Sequence, residues 1–206
     1  MDSVSILGLM GSPRRKGNSR ILLDRFLEGA GEEGAVTRTL ILEDLSYSPC
    51  RACGGCDKTG ICVVKDDMQL VYEEVKKAGG LVVASPVHFG SMSGRAKMAI
   101  DRFQCFWAAK YLLGKARIRL EEGRLGFFIC TGGMKPPRFC QNALEIAKLF
   151  FTITNIRLAG ELCFREVDAA GAILDHPTAM EEAFQAGRTF ARKVRESLQE
   201  PKGSEA

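Results

Sequence analysis

Three short runs that read as strands, residues 4–9, 80–84 and 124–130, the last apolar after its opening Arg124, each lead straight into a stretch rich in Gly, Ser or Thr, and then into a helical pattern. Continuous apolar runs of that length read as strands buried on both faces. The first of these stretches is Leu9-Met10-Gly11-Ser12-Pro13-Arg14-Arg15-Lys16-Gly17-Asn18-Ser19-Arg20. A strand, a polar loop and a helix start make a phosphate site, because free backbone N–H groups and the positive helix end face the ligand. Ser12, Asn18 and Ser19 can donate hydrogen bonds, and Arg14 can add a charge-assisted pair. The plain alternative is a polar connecting loop. No Gly-x-Gly-x-x-Gly and no Walker-type Gly-x-x-x-x-Gly-Lys-Ser/Thr is present, which points to a mononucleotide and away from a dinucleotide or triphosphate.

The remaining elements follow the same alternation. Residues 35–42 read as a strand, with Thr37 and Thr39 as β-formers. Residues 43–65 show no period and are long for a loop in a compact domain. Asp66 is expected to cap the next helix, with Gln69 completing a capping box. Residues 94–109 and 142–151 read as helices, 153–164 as a strand interrupted by Gly160, and Thr178 with Glu181 as the start of a helix reaching about residue 198. Strands alternating with helices predict an α/β fold, a parallel sheet covered on both faces. Five strands fit a flavodoxin-like three-layer sandwich of order 2-1-3-4-5. Its ligand crevice would lie where residues 11–19, 85–93 and 131–133 meet. One domain over residues 1–200 is expected, with a cysteine-rich insertion loop at about 46–65 and a flexible tail at 201–206.

The net charge of the 206 residues is a mild +4. Basic clusters at Arg14, Arg15, Lys16 and Arg20, and at Lys110, Lys115, Arg117 and Arg119, come without a nucleic-acid motif, so solubility and a phosphate ligand are the expectation. No apolar stretch has the length of a membrane span, and the N-terminus enters a strand without a secretory pattern. A cytoplasmic protein without nucleic-acid or membrane partners is expected. Its eight cysteines should then be thiols or ligands and not disulfides.

Half of those cysteines fall in Cys50-x-x-Cys53-x-x-Cys56-x-x-x-x-x-Cys62. Short spacings of this kind ligate iron–sulfur clusters. They also suit a zinc site of four thiolates, a redox dithiol, or a turn with no ligand. Cys105, Cys130, Cys140 and Cys163 are isolated and read as packing residues. His176 reads as a surface residue, while His88 sits in the more interesting Pro86-Val87-His88-Phe89-Gly90.

Gly11-Ser12-Pro13-Arg14 with Gly17-Asn18-Ser19, Ser85 to Gly90 with Met92-Ser93, Lys97, Asp101-Arg102 and Thr131-Gly132-Gly133 together resemble the NADPH-dependent FMN reductase family. The four-cysteine spacing looks most like its iron–sulfur flavoprotein subgroup. The resemblance implies FMN, with Ser12, Arg14, Asn18 and Ser19 at the phosphate. Pro86, Val87, His88, Phe89 and Gly90 would run beside the ring, and Thr131, Gly132 and Gly133 would contact its other side. The family commonly has tyrosine where this chain has His88, whose imidazole can stack or hydrogen-bond instead. The resemblance further implies a [4Fe–4S] cluster on Cys50, Cys53, Cys56 and Cys62, and an NAD(P)H or ferredoxin donor. It also implies a small acceptor such as a quinone, and a homodimer or homotetramer with Phe103, Phe106 and Trp107 as candidate contacts. The flavin would carry the chemistry, with no catalytic side chain required. The rival functions are a non-enzymatic electron carrier and a zinc-bearing interaction protein.

Overall fold

A computed structural model describes residues 3–199; the tail expected at 201–206 lies outside the described residues. The strands are β1 (Ser5–Met10), β2 (Val36–Ile41), β3 (Gly80–His88), β4 (Ser91–Met92), β5 (Leu125–Gly132) and β6 (Arg157–Arg165). The helices are α1 (Asn18–Glu32), α2 (Met68–Lys77), α3 (Gly94–Arg102), α4 (Gln104–Trp107), α5 (Arg138–Ile153) and α6 (Ala179–Gln199). Five strands are parallel in the order β2-β1-β3-β5-β6. The short β4 pairs antiparallel with β3 off the end of that sheet. With β4 set aside, this is the expected 2-1-3-4-5 order.

Alternation along the central strands explains the three layers. Ile6, Met10, Val82, Ala84, Phe127 and Ile129 point to one face, where Leu22, Leu23 and Phe26 of α1 and Phe190 and Val194 of α6 cover them. Leu7, Leu9, Leu81, Val83, Phe128 and Cys130 point to the other, under α2, α3 and α5. A strand turns successive side chains to opposite faces, so an unbroken apolar run buries both.

Four local expectations are corrected. Asp67 directly precedes α2 without a side-chain cap bond, and the Asp66 carboxylate accepts from the Met68 N–H at 3.1 Å as a cap would, but no capping box with Gln69 forms. Asp67 instead accepts from the Ser46 N–H, and the Gln69 amide donates to the Val64 carbonyl. Residues 85–93 are not all loop, because β3 continues to His88 and folds back through a two-residue turn. The helix expected over 94–109 breaks at Phe103 into α3 and α4 and then unwinds into a π turn over Ala108–Leu112. Cys140 on α5 and Cys163 on β6 are joined as a disulfide, against the expectation of free thiols. They are far apart in sequence, but the first turn of α5 packs over the neighbouring strand; their Cα atoms are 6.4 Å apart, within bridging range. Among the described residues, no helix is long and apolar enough to cross a membrane.

Candidate functional site

Two cavities stand out, and no residue lines both. The first, of about 340 Å³, lies at the C-terminal ends of β1, β3 and β5. Ser12, Arg14, Asn18 and Ser19 line it from the first loop, Pro86, Val87 and His88 from β3, and Thr131, Gly132 and Gly133 from β5. The three segments flagged in sequence therefore converge. Phe89 and Gly90 do not line it; they form the β3–β4 turn at its edge.

Each wall has a local cause. Gly17 precedes α1 without a side-chain cap, and the first turn of α1 carries no acidic residue. The positive helix end therefore carries no carboxylate of its own, an arrangement that favours a phosphate. The Ser12 hydroxyl accepts from the Arg14 N–H at 3.1 Å and shapes the loop. Arg14 reaches across to donate to the Asp168 carbonyl at 3.2 Å. Asn18 and Ser19 are already engaged within the protein. The Asn18 amide donates to the Ala169 carbonyl at 2.9 Å and accepts from the Ile173 N–H, while Ser19 and Thr131 share a 2.9 Å hydroxyl contact. Their side chains hold the wall together, leaving backbone N–H groups to meet a ligand.

A buried serine pair ties the same segments to α3. The Ser85 hydroxyl accepts from the Ser93 N–H at 2.9 Å. Ser93 caps α3 by accepting from the Ala96 N–H, and it donates to the Gly11 carbonyl. At the far wall, a Cβ on Gly133 would come 2.9 Å from the Asp168 Cβ, so only glycine lets the end of β5 lie that close.

The second cavity, of about 530 Å³, is lined by all four loop cysteines, with Arg102, Cys105 and Trp107 from the α3–α4 side. The loop is folded without regular structure, so its backbone groups depend on side-chain anchors. Arg117 donates to the Gly60 carbonyl, and the Tyr47 hydroxyl donates to the Arg95 carbonyl at 2.8 Å. The central anchor is Arg102, 1% exposed. It donates to both Asp66 carboxylate oxygens at 2.6 and 3.0 Å, to the Ser48 carbonyl at 2.9 Å, and to the Cys62 Sγ at 3.4 Å. Burial alone would raise the Asp66 carboxyl, but hydrogen bonds from Arg102, Ser48 and Met68 outweigh it and hold the group below the ordinary carboxylate value.

The donor set can be tested against its candidate ligands. A single tetrahedral zinc at about 2.3 Å from each sulfur would draw four thiolates to roughly 3.8 Å of one another. No three of the loop sulfurs lie that close together: among the described residues, the one group of three or more such ligand atoms within 4.8 Å is Cys130, Cys140 and Cys163. Four thiols around a roomy cavity fit a polynuclear cluster. Burial, with Asp57 adding to it, pushes the Cys56 thiol up, the opposite of what a reactive dithiol needs. A bound cation reverses that preference.

Residues 4–157 match the family described as NADPH-dependent FMN reductase. The chain belongs to that family. An iron–sulfur flavoprotein of Methanosarcina thermophila is 37% identical over 132 residues, 64% of this chain and 65% of that protein. An iron–sulfur flavoprotein of Methanocaldococcus jannaschii is 36% identical over 99 residues, 48% of this chain and 51% of its own length. The matches thus span about half to two thirds of these relatives. Among solved structures, an NAD(P)H:quinone oxidoreductase from Methanothermobacter marburgensis superposes with a TM-score of 0.70 at 16% identity, covering 98% of this chain and 99% of that one. A flavone reductase superposes with a TM-score of 0.70 at 21% identity, covering 96% and 66%. At those identities the likeness is one of fold.

Within the family frame, two crevice residues escaped sequence reading. Val167 and Asp168, beyond β6, line the first cavity. Only the small Gly133 opposite them carried any signal. Two expected subunit contacts are also corrected: Phe103 and Phe106 are buried against Tyr72 and Phe150, because the aromatic stripe faces the core.

Phe89 has a left-handed backbone, φ 48°, beside Gly90 at φ 76°, as a two-residue hairpin turn of type I′ demands. Its ring is fully exposed, at 111% of the reference value. An aromatic residue in that region is strained by about 1–2 kcal/mol. Phe89→Asn, with a residue that this turn favours, should stabilise the isolated chain by about 1 kcal/mol in urea unfolding. An unchanged or lower midpoint would show that the turn does not hold this conformation.

Proposed function

We propose that the chain binds FMN in the crevice at the ends of β1, β3 and β5 and a [4Fe–4S] cluster on Cys50, Cys53, Cys56 and Cys62. On this reading it is an oxidoreductase passing electrons between an NAD(P)H or ferredoxin-class donor and a small acceptor such as a quinone. The observation that carries the reading is that one chain presents both cavities, one flanked by an uncapped helix start, the other ringed by four thiols. When bound, FMN supplies hydride and single-electron chemistry and the cluster single-electron chemistry.

The chain's residues would bind and orient. Backbone N–H groups around Ser12 to Ser19 and the exposed Arg14 receive the phosphate. Pro86, Val87 and His88 flank one side of the ring site, and Thr131, Gly132 and Gly133 the other. Exposed Phe89 and Met134 each adjoin a crevice-lining residue and give the mouth an apolar rim, which supports assembly as a dimer or tetramer over this edge. The names of the iron–sulfur flavoprotein relatives support the cluster.

Anaerobic titration tests the donor. NADPH or NADH should bleach the flavin absorbance; if neither does and reduced ferredoxin does, the pyridine-nucleotide version is removed. Cys53→Ala should abolish the cluster absorbance and leave flavin content unchanged. Loss of flavin together with iron would contradict two independently built sites.

A further inference from the structure

We infer that Arg102 is a positioning residue for the cluster, holding Cys62 through an N–H···S bond and setting the potential at which the cluster takes an electron. This rests on the cluster reading above and extends it to a residue outside the four thiols. An arginine buried to 1% exposure, at the end of a helix and against a solvent-facing loop, needs a reason to be there. Its Nη atoms are all engaged, by Asp66, Ser48, Val64 and the Cys62 sulfur. Its Nε is the one buried side-chain nitrogen or oxygen among the described residues without a partner. An unpaired buried N–H is costly, and such a group in a folded protein calls for an unplaced acceptor. Arg102 lines the four-cysteine cavity, and a cluster's sulfur atoms are acceptors.

The physical consequence follows from charge. Electron uptake makes the sulfur ligands more negative, and N–H donors to those sulfurs favour the reduced form. Asp66 balances the charge of Arg102, so the effect on the cluster comes mainly through hydrogen bonding. Replacing both partners tests this without stranding either charge. Arg102→Met with Asp66→Asn removes both charges together, a change that buried pairs often tolerate, and leaves an amide oxygen as acceptor beside the Ser48 and Met68 N–H groups. Spectroelectrochemistry should show the cluster of the double variant harder to reduce by about tenfold, roughly 59 mV for one electron. Flavin content should be unchanged.

A second measurement needs no variant to fold. In protein carrying 15N-arginine, the reduced wild-type cluster should show electron–nuclear coupling to a guanidinium nitrogen. A wild-type cluster without that coupling overturns the inference and spares the cluster reading. So does a double variant that keeps its iron at the wild-type potential. Wild-type protein isolated anaerobically without iron and sulfide overturns both.

Discussion

Asp66→Ala should lower the stability of the chain by about 3–5 kcal/mol and release the four-cysteine loop. The carboxylate is 15% exposed and its partner Arg102 1%. Removing it strands a buried guanidinium, and breaking a buried pair costs that much. It also frees the Ser48 and Met68 N–H groups, which fix the two ends of the loop's attachment to α2. Urea unfolding gives the energy and iron content gives the loop. A loss under 1 kcal/mol would show that the pair is solvated and not an anchor. The pH dependence has a definite sign. The folded Asp66 carboxyl lies below its unfolded value of about 3.9. Its contribution is complete above that value and is lost as the pH falls through the lower folded one. Loop release in acid should therefore begin below about pH 4 in the wild type, and that step should be missing in Asp66→Ala.

A comparable loss is expected from Gly187→Ala, far from either cavity. A Cβ there would stand 1.8 Å from the Phe26 carbonyl oxygen, and one on Gly29 of α1 would stand 2.1 Å from the Phe184 carbonyl oxygen. The two helices touch backbone to backbone through this reciprocal pair. Ordinary overpacking costs about 1–3 kcal/mol, but here the neighbour is backbone and cannot turn aside. About 3 kcal/mol or more is expected, lowering Tm by roughly 6–12 °C. Gly31→Ala is the control. It lies in α1 with open space around its Cβ position, and alanine should stabilise that helix by about 0.5–1 kcal/mol. The effect on the crevice is indirect: α1 carries its phosphate-facing end, so Gly187→Ala should also weaken FMN binding. Equal melting of the Gly187 and Gly31 variants would contradict the close helix contact.

Much of this architecture is legible from periodicity and punctuation. Leu125, Phe127 and Ile129 are apolar toward one face and Phe128 and Cys130 toward the other, and a run like that fits a covered central strand. The loops after β1, β3 and β5 announce themselves by Gly, Ser and Thr, and they meet because parallel strands end on the same side. Tertiary effects hid the rest. Pro86 and Gly90 made residues 85–93 look like loop, and no propensity would place Phe89 at a left-handed turn position. Arg102 enters the sequence only as part of Asp101-Arg102 in the family resemblance, with no role attached; only the fold brings Asp66 and Cys62 to it. Val167 and Asp168 carry no motif and reach the crevice because β6 ends beside Gly132 and Gly133.

The crevice at the ends of β1, β3 and β5 is expected to hold FMN, and the four-cysteine cavity an iron–sulfur cluster. Protein isolated without oxygen should show flavin bands above a broad cluster absorbance, with about one FMN and about four iron and four sulfide per chain. Colourless protein that neither binds added FMN nor quenches its fluorescence would contradict that expectation.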